Sequence, residues 1–231
     1  MSDVNPYALD HLSAAQAPVA ARLEFLKKTY GLLLLGVLGF AVTLWAAGNV
    51  ESVARLAEGL WRTSPWITLV VLIGGSWLVH AVSDKHPLNL VAYFTYVFFF
   101  GLLLAPLVLH VAHAAPVVLT QASLITAFVF TGLTGYVFVT RKDFSFLGGA
   151  LAIGMFGLLG VAIAGMFFGF SIGLWYSVAG VLLFSGYVLY DTSKVLHHYP
   201  TNRHVSAAIV LFVDVVLLFK HILLLLSRSR D

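Results

Sequence analysis

Two aspartates stand where a carboxylate is expensive. Asp191 follows an uncharged run that begins at Phe144, and Asp214 lies about eleven residues into the apolar stretch that opens near His204. An ionisable group in a hydrocarbon-length segment is costly, so each is a functional candidate by default. A turn signal, Pro200-Thr201-Asn202-Arg203, falls at their sequence midpoint. From Asp191 to Tyr199 is eight residues, or ~12 Å of helix, and from Arg203 to Asp214 is eleven, or ~16 Å. An antiparallel hairpin would therefore bring the two carboxyls to similar depth. Two facing carboxyls in low dielectric cannot both ionise cheaply, and they would share a proton. That chemistry is a pH switch on a cation path. The plainer alternative is that Asp191 wets a helix end while Asp214 bonds a neighbouring hydroxyl.

Metal chemistry fits less well. Calcium takes roughly 6–8 oxygens. The aspartates, with Thr192, Ser193, Tyr190 and backbone carbonyls, fall short of a tight cage. A transient calcium or other cation near Asp191 and Asp214 is the expectation, with no resident metal and no cofactor. His110 and His113 have HxxH spacing, and His197 and His198 are adjacent, but neither pair has an acidic or thiol neighbour in sequence to complete a shell. Lys220 invites a Schiff-base reading. Yet Asp214 lies six residues away, about 120° around the helix, and the stretch Leu88 to His110 holds no carboxylate as counter-ion. Snorkelling toward the outer interface explains Lys220 better. Phosphate-binding loops, dinucleotide fingerprints, nucleophile elbows and HExxH or GxGD protease signatures are missing from the sequence, so the expectation is a protein that is not an enzyme.

The elements that position these residues follow from composition. Of 231 residues, 60% are apolar and 10% charged, with a net charge of +3 and no cysteine. So few charges cannot cover a water-facing surface, and lipid is the solvent that tolerates the rest. The basic residues scatter at helix ends and speak to topology, not to nucleic acid. Residues 1–28 read as a mobile N-terminal cytosolic tail, without a signal-peptide pattern, and residues 29–231 as a transmembrane domain.

Spans are expected over Thr29 to Gly48, Pro65 to Ser83, Leu88 to His110 and Pro116 to Thr140. Phe144 to Tyr190 then runs 47 residues without a charge. That is about 70 Å of helix, more than twice the ~30 Å hydrocarbon core, so it must fold as two spans. Gly169-Phe170-Ser171-Ile172-Gly173 is the expected turn. A last span from Arg203 or His204 to Leu226 makes seven, or six if one is re-entrant. The fold class is an all-α membrane protein, a seven-transmembrane-helix bundle. With the N-terminus inside, eight basic residues face the cytoplasm (Arg22, Lys27, Lys28, Lys85, Arg141, Lys142, Lys194, Arg203) against four outside (Arg55, Arg62, Arg228, Arg230). The C-terminus is then outside. Small residues recur at Ser123, Ala127, Thr131 and Gly135, and at Gly157, Gly165, Gly169 and Gly173. Such stripes are expected to be close helix contacts.

At this point the residues carry a resemblance. Tyr136-Val-Phe-Val-Thr-Arg-Lys-Asp-Phe-Ser-Phe-Leu-Gly-Gly149, Tyr190-Asp-Thr-Ser-Lys-Val-Leu-His197 and Phe212-Val-Asp-Val-Val216 resemble motifs of the Bax inhibitor-1 family. Lys28-Thr-Tyr30 and Ser229-Arg-Asp231 resemble its bacterial YccA-like branch. The resemblance implies seven helices with a central last helix, in the bacterial inner (plasma) membrane. In the calcium-leak members a pH-sensing aspartate pair lies beside the pore, and it matches Asp191 and Asp214. Those members latch the pair with an arginine on the second helix. Here no arginine lies between Pro65 and Ser83, and His80 is the ionisable residue in that stretch. His80 and Lys194 are the candidate latch groups, with Thr192 and Ser193 as accessories. The YccA-like branch implies a different partner, a membrane-bound AAA protease restrained through the N-terminal tail. Members of that branch replace one or both aspartates, and this chain keeps both. The implied functions are a pH-sensitive calcium or cation leak, or modulation of that protease.

Overall fold

The computed structural model describes residues 13–63, 70–169 and 173–228. Their regular structure is helical: α1 (Val19–Asn49), α2 (Glu51–Thr63), a π-helical turn (Val70–Gly74) leading into α3 (Gly75–Ala81), α4 (Leu88–Ala114), α5 (Pro116–Thr140), a 3-10 turn (Ser145–Leu147) leading into α6 (Gly148–Phe168), α7 (Leu174–His197) and α8 (His204–Arg228). Two compact units divide the chain. The first takes Met1–His113 and His197–Phe212, and the second takes Ala114–Leu196 and Val213–Asp231.

Six helices among the described residues are long and apolar enough to cross a membrane: α1, α4, α5, Ser145–Phe168, α7 and α8. The expected span Pro65 to Ser83 is not among them. Its residues 65–69 lie outside the described residues. The rest forms the π turn and the seven-residue α3, together too short to cross alone.

Two boundaries differ from the sequence reading. Helix α1 starts at Val19, ten residues before Thr29. Lys28 and Glu24 pair one turn apart at 2.7 Å, and Phe25 is buried, so the first turns gain both a charge pair and packing. Ala14 is buried too, and its N–H donates to Tyr199 O at 2.8 Å. Residues 13–28 are thus structured, and the earlier part of the expected tail lies outside the described residues. At 31 residues α1 is ~46 Å long, so its ends reach past a ~30 Å core.

The second difference is the polar stretch after Asn49, which forms an amphipathic helix of 13 residues. One face of α2 carries the Arg55–Glu51 and Arg62–Glu58 pairs at helical i,i+4 spacing. The other buries Ala57 against Ala47, Leu102 and Ala105, with Val53 and Leu60 beside them. Trp61 Nε1 donates to Leu103 O at 2.7 Å. That carbonyl neighbours Leu102 O, which Pro106, having no N–H, leaves without its helical donor.

The core of the first unit is aromatic. The Phe212 ring meets Phe40, Tyr93, Tyr96 and Phe100 edge-on, with centroids 5.8 to 6.5 Å apart. Such pairs each contribute about 0.5–1.5 kcal/mol beyond buried area. Glycines make room where backbones close. A Cβ on Gly36 would collide with the Tyr93 hydroxyl, and one on Gly101 would stand 2.8 Å from Thr43. In the second unit the same occurs at Gly154 against Leu183 and Gly186 against Leu151.

The expected small-residue stripes are not these contacts. A Cβ on Gly135, Gly157, Gly169 or Gly173 would meet nothing within 4 Å. Periodicity alone does not say which face of a helix meets protein and which meets lipid. The lipid-facing character is plain elsewhere. Helix α6 buries Leu151 alone among its residues, while Phe128, Val139 and Trp175 are at least 80% exposed. Helix α8 is the most enclosed of the six spans, with 56% of its most apolar stretch buried against 11% for Ser145–Phe168.

Gly36→Ala should destabilise the first unit by about 1–3 kcal/mol, since the new methyl drives the Tyr93 hydroxyl off Leu32 O, its acceptor at 2.9 Å. Unfolding by SDS in mixed micelles reads the change. In a Tyr93→Phe background the added cost should shrink, and an equal cost in both backgrounds would refute the assignment to this contact.

Candidate functional site

The second unit brings Asp191 and Asp214 together. Helix α7 buries Ser177, Gly180, Phe184, Val188 and Asp191, a three-to-four-residue spacing that keeps them on one face. Its end at His197 and the start of α8 at His204 lie within two residues of the boundaries read from the turn signal. The turn closes with Arg203 N–H donating to Pro200 O at 3.1 Å. On α8, Asp214 is buried, at 4% exposure, and Asp191 is buried opposite it, at 8%.

The two carboxyls lie within hydrogen-bonding reach of one another. A carboxylate is an acceptor only, so a bond between them exists only when one of the two keeps its proton. Asp214 Oδ2 has no hydrogen-bond partner.

The surrounding groups take distinct roles. Tyr187, one turn before Asp191, lies within electrostatic reach of both carboxyls. Lys194 lies within reach of Asp191, and its ammonium stands 5.0 Å from the centroid of the Tyr190 ring. Ser193 is committed to a loop: its Oγ accepts from the Phe144 N–H at 3.0 Å and donates to Tyr190 O at 3.0 Å. That bond ties α7 to the segment after α5, where Arg141 adopts a left-handed conformation (φ 52°) and Asp143 Oδ1 accepts from the Ser145 N–H at 2.8 Å. Thr192 is fully buried and its Oγ1 has no hydrogen-bond partner. His80 belongs to the first unit, where its Nδ1 pairs with Ser76 O at 2.9 Å on its own helix.

Sequence reasoning missed Tyr187, although four-residue spacing from Asp191 was signal enough. His221, an ionisable residue within the last apolar stretch of the sequence, is buried seven residues beyond Asp214. The sequence stretch around Lys220 read as an outer interface, and the burial beside it has no local signature.

No three His, Asp or Glu side chains converge as a metal site among the described residues. Two carboxyls that share a proton offer little to calcium, which takes roughly 6–8 oxygens.

A multi-span helical membrane protein with two carboxyls buried side by side on neighbouring helices is what this fold and site define. Comparison with known proteins makes it more specific. Residues 22–231 match the family model described as "Inhibitor of apoptosis-promoting Bax1". The chain is 32% identical to a Golgi anti-apoptotic protein of vaccinia virus, over 94% of this chain and 91% of that one. It is 32% identical to Protein lifeguard 4 of Mus musculus, over 90% and 87%. It is 36% identical to an uncharacterized protein of Pseudomonas aeruginosa, over 92% and 91%. The chain belongs to the Bax inhibitor-1 family.

The adjacent hydroxyls separate by substitution. Ser193→Ala should cost about 1–3 kcal/mol, because the Phe144 N–H loses its acceptor. It should also expose residues 141–147 to protease earlier. Thr192→Val removes a buried hydroxyl without a partner and should leave stability unchanged or raised. The reverse order in SDS unfolding would show that these roles are misassigned.

Proposed function

We propose that this protein is a pH-sensitive cation leak, calcium foremost, gated by the Asp191–Asp214 pair, and that it is not an enzyme. The observation that carries the reading is that two buried carboxyls on neighbouring helices lie within hydrogen-bonding reach of one another. At low pH the shared proton holds α7 to α8. As pH rises and the last proton leaves, two like charges face each other in low dielectric. Their repulsion amounts to several kcal/mol before water enters. That force parts the helices and admits water and cations. Flux therefore rises as the pair ionises. Lys194, within reach of Asp191, is the cation placed to re-close the pair once both carboxyls are charged. His80 is the second candidate latch, in place of an arginine on the second span.

The test is calcium flux through proteoliposomes across pH. Wild type should show a pH-dependent flux. Asp214→Asn and Asp191→Asn should each flatten that dependence, because an amide–carboxyl pair has no proton to share. A wild-type pH profile in both variants would make the pair structural and place any transport elsewhere.

The proposal includes a seven-helix bundle in the bacterial inner membrane, with a central last helix, the N-terminus cytoplasmic and the C-terminus outside. The high burial of α8 supports its central place. The apolar segment Val70–Ala81 supports a seventh span built with the residues before it. Eight basic residues against four support the orientation. A reporter fused after Asp231 should be active only in its extracytoplasmic form. Cytoplasmic activity would mean an even number of crossings.

A second reading is modulation of a membrane-bound AAA protease through the N-terminal tail. Ala14 bonded to Tyr199 and α1 starting at Val19 favour a handle confined to the residues before Ser13. If so, deleting residues 2–12 should lengthen the cellular half-life without changing the flux. An unchanged half-life beside an active protease would remove this reading.

A further inference from the structure

His221 has no part in the carboxyl pair, yet it is the most deeply buried histidine of the described residues, at 2% exposure. Its ring stacks on Phe184, with centroids 5.4 Å apart and planes 23° apart, and meets Tyr176 at 5.3 Å. Gly180 lies between those two residues on α7, and any Cβ there would collide with His221 Nδ1. The glycine is thus what admits the imidazole to this helix face. Nδ1 has no hydrogen-bond partner, and neither has the Oγ of fully buried Ser177. Asp214 Oδ2 is another such atom in the same unit, along with Thr134 Oγ1 and Thr192 Oγ1.

These atoms follow one register. Asp191 faces Asp214, and Phe184 faces His221; each step is seven residues on both helices, in opposite directions. Ser177 lies a further seven residues before Phe184, on the same face of α7. Seven residues are two turns, or ~10 Å. The line therefore starts at the carboxyl pair and runs toward the Leu174 end of α7, away from the Pro200 turn. A buried polar atom without a partner is destabilising, and several in line are more so. The usual remedy is ordered water, which needs 2–4 polar partners in a roomy polar site.

We propose that Asp214 Oδ2, His221 Nδ1 and Ser177 Oγ hold a short file of internal water that carries protons between the carboxyl pair and the Leu174 end of α7. Water donates and accepts, so a proton entering at one end releases another at the far end with no net covalent change. Neutral imidazole offers one N–H and one bare nitrogen, which suits it to the middle of such a file. The titratable groups facing His221 are Tyr176 from α7 and Lys220 on its own helix, and those facing Asp214 are Asp191 and Tyr187. The role as proton route rests on the carboxyl-pair reading above, whereas the water site does not.

Two measurements on the full chain in lipid separate the parts. The first is radiolytic hydroxyl-radical labelling in nanodiscs, which marks side chains beside ordered water. Tyr176 and His221 should label at least about fivefold faster than fully buried Phe212. Ser177→Val should bring that ratio down toward one. Labelling no faster than Phe212 would overturn the water file. The second is time-resolved infrared spectroscopy of proteoliposomes after a pH jump on the Leu174 side. The band followed is the carboxyl C=O band that Asp214→Asn removes. His221→Phe, which keeps the stacking, should slow the response at least about fivefold, and Ser177→Ala should slow it too. Wild-type speed in both variants would overturn the proton route. A wild type without that band would instead strike the shared-proton reading, and labelling alone would then decide the water file.

Discussion

Asp191 and Asp214 are buried beside one another, and two carboxyls can hydrogen-bond only while a proton stays between them. Both carboxyls are buried, so water contributes little to their solvation. A lone ionised carboxylate at that depth would be strongly disfavoured. The partner's oxygen replaces part of the lost hydration, but only in one charge state. A hydrogen bond between two carboxyls exists in one charge state only. Neither hydrophobic packing nor backbone hydrogen bonding in the same helices has that property.

The rest of the chain keeps the pair in register. One helix carries Phe212 into an aromatic core and, two residues later, Asp214 into the carboxyl pair. A shift of α8 along its axis would disturb both. The bonds that resist such a shift lie at helix ends. Arg203 pairs with Asp84 at 2.8 Å beside the Pro200 turn, and Arg228 donates to Gly173 O at 2.9 Å at the other end of α8. Both are partly exposed, and each is worth little alone. Their value is positional, since they fix the ends of a helix whose middle must be able to respond to charge.

What could be read from sequence was whatever burial makes costly. Asp191 and Asp214 stood out because apolar segments rarely contain carboxylates, and the Pro200 turn set their depths. The ends of α5, α7 and α8 followed from prolines, charges and span length. Other features depended on partners that local sequence does not name. Val19 to Lys28 looks unpatterned until Phe25 is known to be buried. The stretch after Asn49 looked merely polar because its apolar face is narrow, and that face gained meaning from Leu102 and Ala105. The glycine stripes misled for a related reason. Gly154, Gly180 and Gly186 admit Leu183, His221 and Leu151, so a glycine marks a close approach only when a large residue stands opposite.

That last contrast bears on how a lipid-embedded helix pair tolerates polar groups. In a soluble protein, an interior histidine and serine without partners would be a defect that selection removes or water reaches from outside. Between α7 and α8 the space for the His221 ring comes from a missing side chain at Gly180, so the imidazole is accommodated by the shape of the backbone surface. Phe184 then stacks on the ring, Tyr176 meets it at a tilt, and Nδ1 has no hydrogen-bond partner. Stacking fixes a ring's position without satisfying its hydrogen bonds, and hydrogen bonding alone would fix both. A ring held in this way has little freedom to move. The carboxyl pair is the contrast: each group has a partner within hydrogen-bonding reach, and a bond between them lasts only as long as the proton does.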